Sequence, residues 1–217
     1  MNTKLICFDL DGTLLNTLDD LADAMNLVLA RWALPTHPVA AYRYFVGNGI
    51  ETMVRRALPA EHRNDEAEIV RGAQEMRAEY GKRLNAKTRP YPGIPALLDA
   101  LVDQKQVLAI LSNKVEALTV RAVDALLPGW PFAEVRGARK DVPPKPDPAG
   151  LLAILRDLNT PPEACIFVGD THVDMKTATA VGALAVGVLW GFRDREELEA
   201  TGADHVIATP EELLTLV

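Results

Sequence analysis

The sequence predicts an α/β protein in which a doubly wound parallel sheet forms the core and an all-helical domain is inserted into it. Short apolar runs, which are typical of strands covered on both faces, recur along the chain, and segments with helical apolar spacing separate them. Between about Asn16 and Lys87, however, no strand pattern occurs. Strands that alternate with helices of this length imply right-handed crossovers, and therefore a parallel sheet.

The first strand is predicted at residues 5–8, and the helical insert follows it. Apolar residues at helical spacing predict helices over residues 18–32, 42–58 with a break at Gly47-Asn48-Gly49, and 69–84. In the first of these helices, we expect Asp19, Asp20 and Asp23 on the face opposite the apolar residues. The insert is thus predicted to be a bundle of helices.

The pattern changes at residues 89–93, where two prolines and a glycine predict a linker back to the core. Helices are predicted over residues 94–105, 115–126, 149–158 and around 175–181, and strands over 107–111, 134–135, 164–168, 184–189 and 205–208. We therefore expect a core made of residues 1–15 and 89–217, and a helical domain made of residues 16–88.

Composition narrows the class of protein. The 217 residues suffice for one α/β domain with an insertion, and the hydrophobic share of 48% is ordinary for a soluble globular protein. A net charge of -7 argues against nucleic-acid and anionic-membrane partners. The two cysteines, Cys7 and Cys165, lie in predicted buried strands. No run of about 18 apolar residues, the length that a membrane-spanning helix needs, occurs. We therefore expect a cytoplasmic protein, and in that reducing compartment we expect both thiols to be structural.

Two carboxylates stand where the first strand ends. Asp9 follows the apolar run directly, and Asp11 lies two residues later. At about 4 Å two such charges repel by roughly 4 kcal/mol at an effective dielectric constant near 20, which favours a shared proton or a bound cation. Gly12 allows a sharp turn, and Thr13 places a hydroxyl beside it. This strand end is the leading candidate for chemistry.

Later strands and loops carry further polar residues of the same kind. Ser112 follows the strand at 107–111, and taken alone it would cap the next helix. Lys145 lies in a loop that four prolines stiffen. Asp170 follows the strand at 164–168, and Asp174 comes about one helical turn later. In a doubly wound sheet the ends of these strands meet at one edge, where ligands bind.

These segments, in this order, resemble the signature motifs of the haloacid dehalogenase-like superfamily of phosphotransferases, which has a doubly wound, Rossmann-like core. The resemblance rests on residues 9–13, 111–113, 145–148 and 169–170 with Asp174. It implies that Asp9 is a nucleophile that forms an aspartyl-phosphate and that Asp11 is a general acid and base. Lys145 would pair with Asp9 and the phosphoryl group, to which Thr13, Ser112 and Asn113 would also bind.

The resemblance also implies Mg²⁺, held by Asp9, the backbone carbonyl of Asp11 and Asp170. Asp174 would bind the Mg²⁺ ion directly, bind it through a water molecule, or form hydrogen bonds with the residues that bind it. Oxygen ligands and retained waters suit Mg²⁺. No clustered set of histidines and cysteines predicts zinc.

The insert resembles the helical cap of one large branch of this superfamily, in particular that of phosphoglycolate phosphatases, at residues 45–49 and 54–58. Gly47, Asn48 and Gly49 would bring backbone N–H groups to a small ligand, and Arg55 or Arg56 would bind a carboxylate. A helix–helix turn followed by solvated arginines is an equal alternative. Asn16-Thr17 departs from the acidic and small hydroxyl residues of many relatives.

The predicted function is Mg²⁺-dependent hydrolysis of a small phosphorylated metabolite, with 2-phosphoglycolate as the best candidate and a monomer or homodimer as the expected assembly. A sugar phosphate, a nucleotide, pyrophosphate or a hexose-phosphate mutase reaction remain alternatives. A phosphonate hydrolase would need a cap lysine, and residues 16–81 contain none. A binding protein without turnover is disfavoured because Asp9, Asp11, Lys145 and Asp170 are all present.

Overall fold

A six-stranded parallel sheet forms the centre of the computed structural model, which describes residues 4–217. Its strands are β1 (Leu5–Phe8), β4 (Val107–Val115), β5 (Phe132–Ala138), β6 (Cys165–Gly169), β7 (Leu184–Val188) and β8 (His205–Ile207). Their order across the sheet is β5-β4-β1-β6-β7-β8, with β1 between β4 and β6. A separate antiparallel pair joins β2 (Leu15–Asn16) to β3 (Arg89–Pro90). The predicted α/β fold is confirmed; residues 1–3 of the predicted core lie outside the described residues.

The helices fall into two groups along the chain. Between β2 and β3 lie α1 (Leu18–Arg31), α2 (Tyr42–Phe45), α3 (Ile50–Ala57) and α4 (Glu66–Arg83). After β3 come α5 (Ile94–Asp103), α6 (Glu116–Leu126), α7 (Ala149–Asp157), α8 (His172–Val181) and α9 (Arg195–Ala200). Single turns of 3₁₀ helix occupy Val39–Ala41 and Pro162–Ala164, and a longer one occupies Pro210–Thr215. The sequence patterns did not predict α9 or the β2–β3 pair.

Both faces of the sheet are covered, as its continuous apolar strands require. Because side chains alternate along a strand, Ile6 and Phe8 of β1 point to one face and Leu5 and Cys7 to the other. The first face packs with apolar residues of α5 and α6, and the second with those of α7, α8 and α9. Helices on both faces make the sheet doubly wound, and Cys7 and Cys165 are buried free thiols within it.

The α1–α4 segment is helical throughout its regular structure, and α1 packs along α4. One expectation here is wrong. Asp20 was expected on the outer face of α1, but its side chain is buried and accepts hydrogen bonds from the Lys87 and Thr88 backbone N–H groups and from the Thr88 hydroxyl. The chain that returns to the core covers this face of α1. Its N–H and hydroxyl groups donate hydrogen bonds to the Asp20 carboxylate, and these bonds offset the cost of burying the charge.

Strand β4 is longer than predicted. It continues beyond Leu111 because Leu111 and Val115 still pair with β5, across a shift in register. Ser112 therefore lies inside the strand, and the helix that follows begins at Glu116 rather than at the serine. Ser112 does not cap α6.

No helix within residues 4–217 combines the length and the apolar character that crossing a lipid bilayer would require.

Candidate active site

The carboxyl ends of the three central strands bring separate polar residues to one place. Asp9 follows β1, Ser112 lies near the end of β4, and Asp170 follows β6. Because β1 pairs with both β4 and β6, these three positions are neighbours at one edge of the sheet. This is the edge at which doubly wound sheets bind ligands.

Lys145 lies between two carboxylates in the centre of the site. Its Nζ is 2.9 Å from Oδ1 of Asp9 and 2.7 Å from Oδ1 of Asp174, and all three side chains are buried. Asp9 also accepts a hydrogen bond of 2.7 Å from the backbone N–H of Leu10. Burial raises the pKa of Asp9 to about 7, although the nearby Lys145 ammonium acts in the opposite direction. The proposed nucleophile is thus oriented by both a lysine and the main chain.

Asp170 is fully buried and bound on both oxygens. The Thr13 hydroxyl donates to Oδ1 at 3.1 Å, and the backbone N–H of Phe192 donates to Oδ2 at 2.8 Å. Burial, followed by the charges of Asp174 and Asp9, raises the pKa of Asp170 well above its usual range. Two glycines make room for it: a Cβ on Gly12 would lie 2.3 Å from Asp170 Oδ2, and one on Gly191 would lie 2.3 Å from Asp170 Cβ.

The charges at this edge fit a divalent cation. Asp9, Asp170 and Asp174 offer carboxylate oxygens that lie within 4.8 Å of one another. Lys145 supplies one positive charge to this set, which leaves an excess of negative charge in a buried position. A hard cation with oxygen ligands would relieve this repulsion. Asp174 Oδ2 accepts hydrogen bonds from the Thr171 N–H and hydroxyl, while its Oδ1 faces Lys145.

Asp11 forms a second ion pair close to the first. Its Oδ1 lies 2.7 Å from Nζ of Lys114, which also donates a hydrogen bond of 2.7 Å to the Tyr80 hydroxyl. Tyr80 belongs to α4, so this contact connects the helical segment to the core. Burial raises the pKa of Tyr80 to about 12. The sequence singled out Asp11. For Lys114 it left two alternatives, contact with a substrate anion or solvation, and it placed Tyr80 only on the apolar face of the helix predicted over residues 69–84.

Asn113 binds backbone atoms of two loops. Its Nδ2 donates to the carbonyl oxygens of Gly47 and Lys145, at 3.0 and 2.9 Å, and its Oδ1 accepts from the Lys145 N–H at 2.8 Å. The Asn113 side chain therefore positions the Lys145 loop, and the binding of a phosphoryl oxygen by backbone N–H groups of Asn113 stays a prediction. Ser112 is buried with its hydroxyl accepting a 3.3 Å hydrogen bond from the Lys114 N–H.

A cavity of about 70 Å³ opens beside these groups. Asp9, Asp11, Ser112, Asn113 and Lys114 line its core side, and Tyr80, Gly47 and Gly49 contribute from the helical segment. The rest of the wall is apolar and consists of Leu21, Val46, Ile50, Met53, Val115 and Leu118. A few polar side chains in an otherwise apolar wall are typical of a cavity that binds a small molecule.

Only some of the residues of the helical segment that were predicted to bind substrate lie at the cavity. Gly47 and Gly49 line the cavity, whereas Asn48 accepts a hydrogen bond of 2.9 Å from Arg56. The Arg55 guanidinium is not brought to the cavity, since it binds Glu66 at 2.8 Å and the Arg63 carbonyl at 2.7 Å. A substrate role for Arg55 stays a prediction.

Comparisons with known proteins agree with this architecture. A protein named phosphoglycolate phosphatase from Mesorhizobium japonicum is 36% identical over 200 residues, which cover 92% of this chain and 88% of that protein. Another protein of that name, from Haemophilus influenzae 86-028NP, is 32% identical over 224 residues and covers both chains completely. A solved structure described as a predicted phosphoglycolate phosphatase from Haemophilus somnus 129pt has a TM-score of 0.89 and 29% identity, and covers 99% of this chain and 97% of its own.

Phosphoglycolate phosphatases are phosphoric monoester hydrolases, and the predicted resemblance to this group is confirmed. The family described as haloacid dehalogenase-like hydrolase matches residues 6–188, which include every core segment that the sequence singled out. This chain is therefore a member of the haloacid dehalogenase-like hydrolase family.

Proposed function

We propose that this protein is a Mg²⁺-dependent phosphatase that hydrolyses a small phosphomonoester, with 2-phosphoglycolate as the preferred substrate. The observation that supports the proposal most strongly is the cluster of Asp9, Lys145, Asp170 and Asp174. It supplies a nucleophile, a fixed ammonium and a set of oxygen ligands in one place, which are the parts that phosphoryl transfer requires.

In the first step, the Asp9 carboxylate attacks phosphorus and the bond from phosphorus to the ester oxygen breaks. Asp11, as general acid, gives its proton to the departing oxygen. Lys145 and Ser112 are proposed to bind the phosphoryl oxygens, since Lys145 pairs with Asp9 and Ser112 is buried in the wall of the cavity that Asp9 also lines. The products are a free alcohol and an aspartyl-phosphate on Asp9.

In the second step, Asp11 takes a proton from water, and the water oxygen attacks the phosphorus of the aspartyl-phosphate. The bond from phosphorus to the Asp9 oxygen breaks, so inorganic phosphate leaves and both carboxyl groups return to their starting states. Asp9, Asp170, Asp174 and the Asp11 carbonyl are proposed to hold Mg²⁺. When bound, the cation would neutralise charge on the phosphoryl oxygens and orient the group.

Residues 16–88 are proposed to act as a cap that covers the site. Gly47, Gly49 and Tyr80 of this segment line the same cavity as Asp9, and the Gly47 carbonyl binds Asn113. A covering segment excludes water and completes the binding site. The small cavity and the names of the relatives together support 2-phosphoglycolate over larger esters.

The nucleophile assignment is tested with Asp9→Asn. Phosphate release from p-nitrophenyl phosphate is expected to fall to background, while the circular dichroism spectrum matches that of the wild type. Asp103→Asn, which removes an exposed carboxylate at the end of α5, is the matched control and should keep full turnover. Turnover by Asp9→Asn would refute the assignment.

Substrate preference is tested by measuring phosphate release over a panel of 2-phosphoglycolate, sugar phosphates, nucleotides and pyrophosphate. The highest kcat/KM is expected for 2-phosphoglycolate. A clear preference for a sugar phosphate or a nucleotide would reject that substrate and leave the phosphatase assignment standing.

A further inference from the structure

We propose that Lys114 and Tyr80 together form the subsite that binds the carboxylate of the substrate, an inference that rests on the proposed function. Both residues line the cavity that also contains Asp9 and Ser112. Lys114 comes from the core strand β4, and Tyr80 comes from helix α4. The subsite would therefore exist only where the helical segment meets the core.

Charge is the first argument. Among the described residues that line the cavity, Lys114 is the one cation, and apolar side chains make up much of the wall. A carboxylate buried against an apolar wall without a cation would be strongly unfavourable. A substrate that carries a carboxylate in addition to its phosphate therefore needs Lys114. Of the two arginines that the sequence offered for a carboxylate, Arg55 binds Glu66 and Arg56 binds Asn48.

Unused hydrogen-bond donors are the second argument. An ammonium has three N–H groups, and Lys114 donates to two acceptors within residues 4–217, Asp11 and Tyr80. The Tyr80 hydroxyl accepts from Lys114, and in the described part of the chain its own proton has no acceptor. One N–H and one O–H thus remain, on atoms 2.7 Å apart. Two donors this close together match the two oxygens of one carboxylate.

Asp11 and the proposed ligand would share the Lys114 ammonium. One ammonium can hold both carboxylates because Asp11 and Tyr80 occupy two of its three N–H groups. The same ammonium would place the leaving group beside Asp11, whose proton goes to the ester oxygen. Lys114 would thereby link recognition of the carboxylate to the orientation of the bond that breaks.

The test compares 2-phosphoglycolate with 2-hydroxyethyl phosphate, in which a hydroxymethyl group replaces the carboxylate. For each enzyme the readout is the ratio of kcat/KM for the two esters. A charge-assisted hydrogen bond contributes enough that Lys114→Met should lower this ratio by about 10- to 100-fold. Tyr80→Phe, which removes one neutral donor and leaves the ring in place, should lower it by roughly 3- to 10-fold.

If Lys114 only positioned Asp11, Lys114→Met would slow both esters equally and leave the ratio unchanged, which would overturn the proposal. A fall in the ratio with Arg55→Met and none with Lys114→Met would move the contact to Arg55 and also overturn it. Tyr80→Phe provides the same test should Lys114→Met fail to fold, as checked by circular dichroism.

Failure of the proposed function looks different from failure of the subsite. A wild-type protein that releases phosphate from neither ester nor from p-nitrophenyl phosphate would reject the phosphatase function. A wild-type protein that hydrolyses both esters with equal kcat/KM would keep that function and reject the carboxylate subsite.

Discussion

Arg43 and Arg193 are linked reciprocally through the main chain. Arg43 donates hydrogen bonds to two carbonyls just before Arg193 in the sequence, and Arg193 donates one to the carbonyl of Arg43. Arg43, from helix α2, donates to the carbonyls of Gly191 and Phe192 at 3.0 and 3.2 Å. Arg193, which is buried, donates to the carbonyls of Arg43 and Val46. The segment after β7, whose Phe192 N–H binds Asp170, is thus joined directly to the helical segment that lines the cavity.

Replacing Arg193 with Met is expected to loosen this connection. Hydrogen bonds from charged donors contribute about 1.5–3 kcal/mol each, so kcat/KM for 2-phosphoglycolate should fall by at least about 10-fold. Amide hydrogen exchange in residues 42–49 should become faster. Arg195→Met is the matched control, since Arg195 is exposed and pairs with Glu199 as Arg193 pairs with Glu197. Equal exchange rates in the two variants would contradict the prediction.

Asp11→Asn should affect esters according to their leaving groups. With 2-phosphoglycolate, whose departing alkoxide needs a proton, kcat is expected to fall by about 10²- to 10⁴-fold. With p-nitrophenyl phosphate the first step needs little protonation, but loss of the base slows hydrolysis of the aspartyl-phosphate. Stopped-flow absorbance should therefore show a burst of p-nitrophenol followed by slow turnover. Equal slowing of both esters, without a burst, would argue against the acid and base role.

Mg²⁺ is expected to stabilise the protein through the acidic cluster. At 100 times its dissociation constant, a ligand that binds only the folded state adds about 2.7 kcal/mol. For a chain of this size the melting temperature should rise by roughly 5–10 °C. Asp170→Asn should abolish the rise because it removes a buried ligand, whereas Asp103→Asn should retain it. A rise of equal size in Asp170→Asn would show that the cation binds elsewhere. In a separate assay, removal of Mg²⁺ with EDTA should end turnover by the wild type.

Glu79 should make stability depend on acid pH. Its carboxylate lies 2.9 Å from Arg31 of α1 and 2.8 Å from Lys82 of α4, and hydrogen bonds from Lys82 and Arg31 lower its pKa from 4.5 to about 2. A lowered carboxyl pKa stabilises the fold above the ordinary pKa, and this contribution is lost as pH falls from about 4.5 through about 2.

Glu79→Gln should therefore reduce the urea midpoint at pH 7, and the difference from the wild type should shrink steadily below pH 4.5. The exposed Glu61→Gln is the comparison variant and should show a much smaller difference at both pH values. A difference for Glu79→Gln that stays constant down to pH 3 would show that the carboxylate charge is not its source.

Much of the core site could be predicted from the sequence because it depends on local features. Asp9 and Asp170 each follow an apolar strand, and in a parallel sheet the ends of such strands meet. Their proximity therefore follows from the fold class alone. The position of Ser112 inside β4 could not be predicted, because the sequence did not show that the strand continues past it through a shift in register.

Contacts between the helical segment and the core could not be predicted in this way. In the sequence, Tyr80 is one of several residues on the apolar face of α4, yet its hydroxyl accepts a hydrogen bond from Lys114. Arg43 resembles any solvated arginine until the segment after β7 is placed beside it. Asp20 occupies the outer face of an isolated helix and is buried only because the returning chain crosses it. Each depends on the orientation of one unit against another, which periodicity does not encode.

The short antiparallel pairing of β2 with β3 places the exit and the return of the helical segment side by side, with Leu15 opposite Pro90 and Asn16 opposite Arg89. Since the two crossings are adjacent, the central sheet imposes no requirement on the length or architecture of the chain between them. A helical unit of another length or architecture could therefore be inserted between β2 and β3 without changing how β1 pairs with β4 and β6, and so without moving Asp9 relative to Asp170.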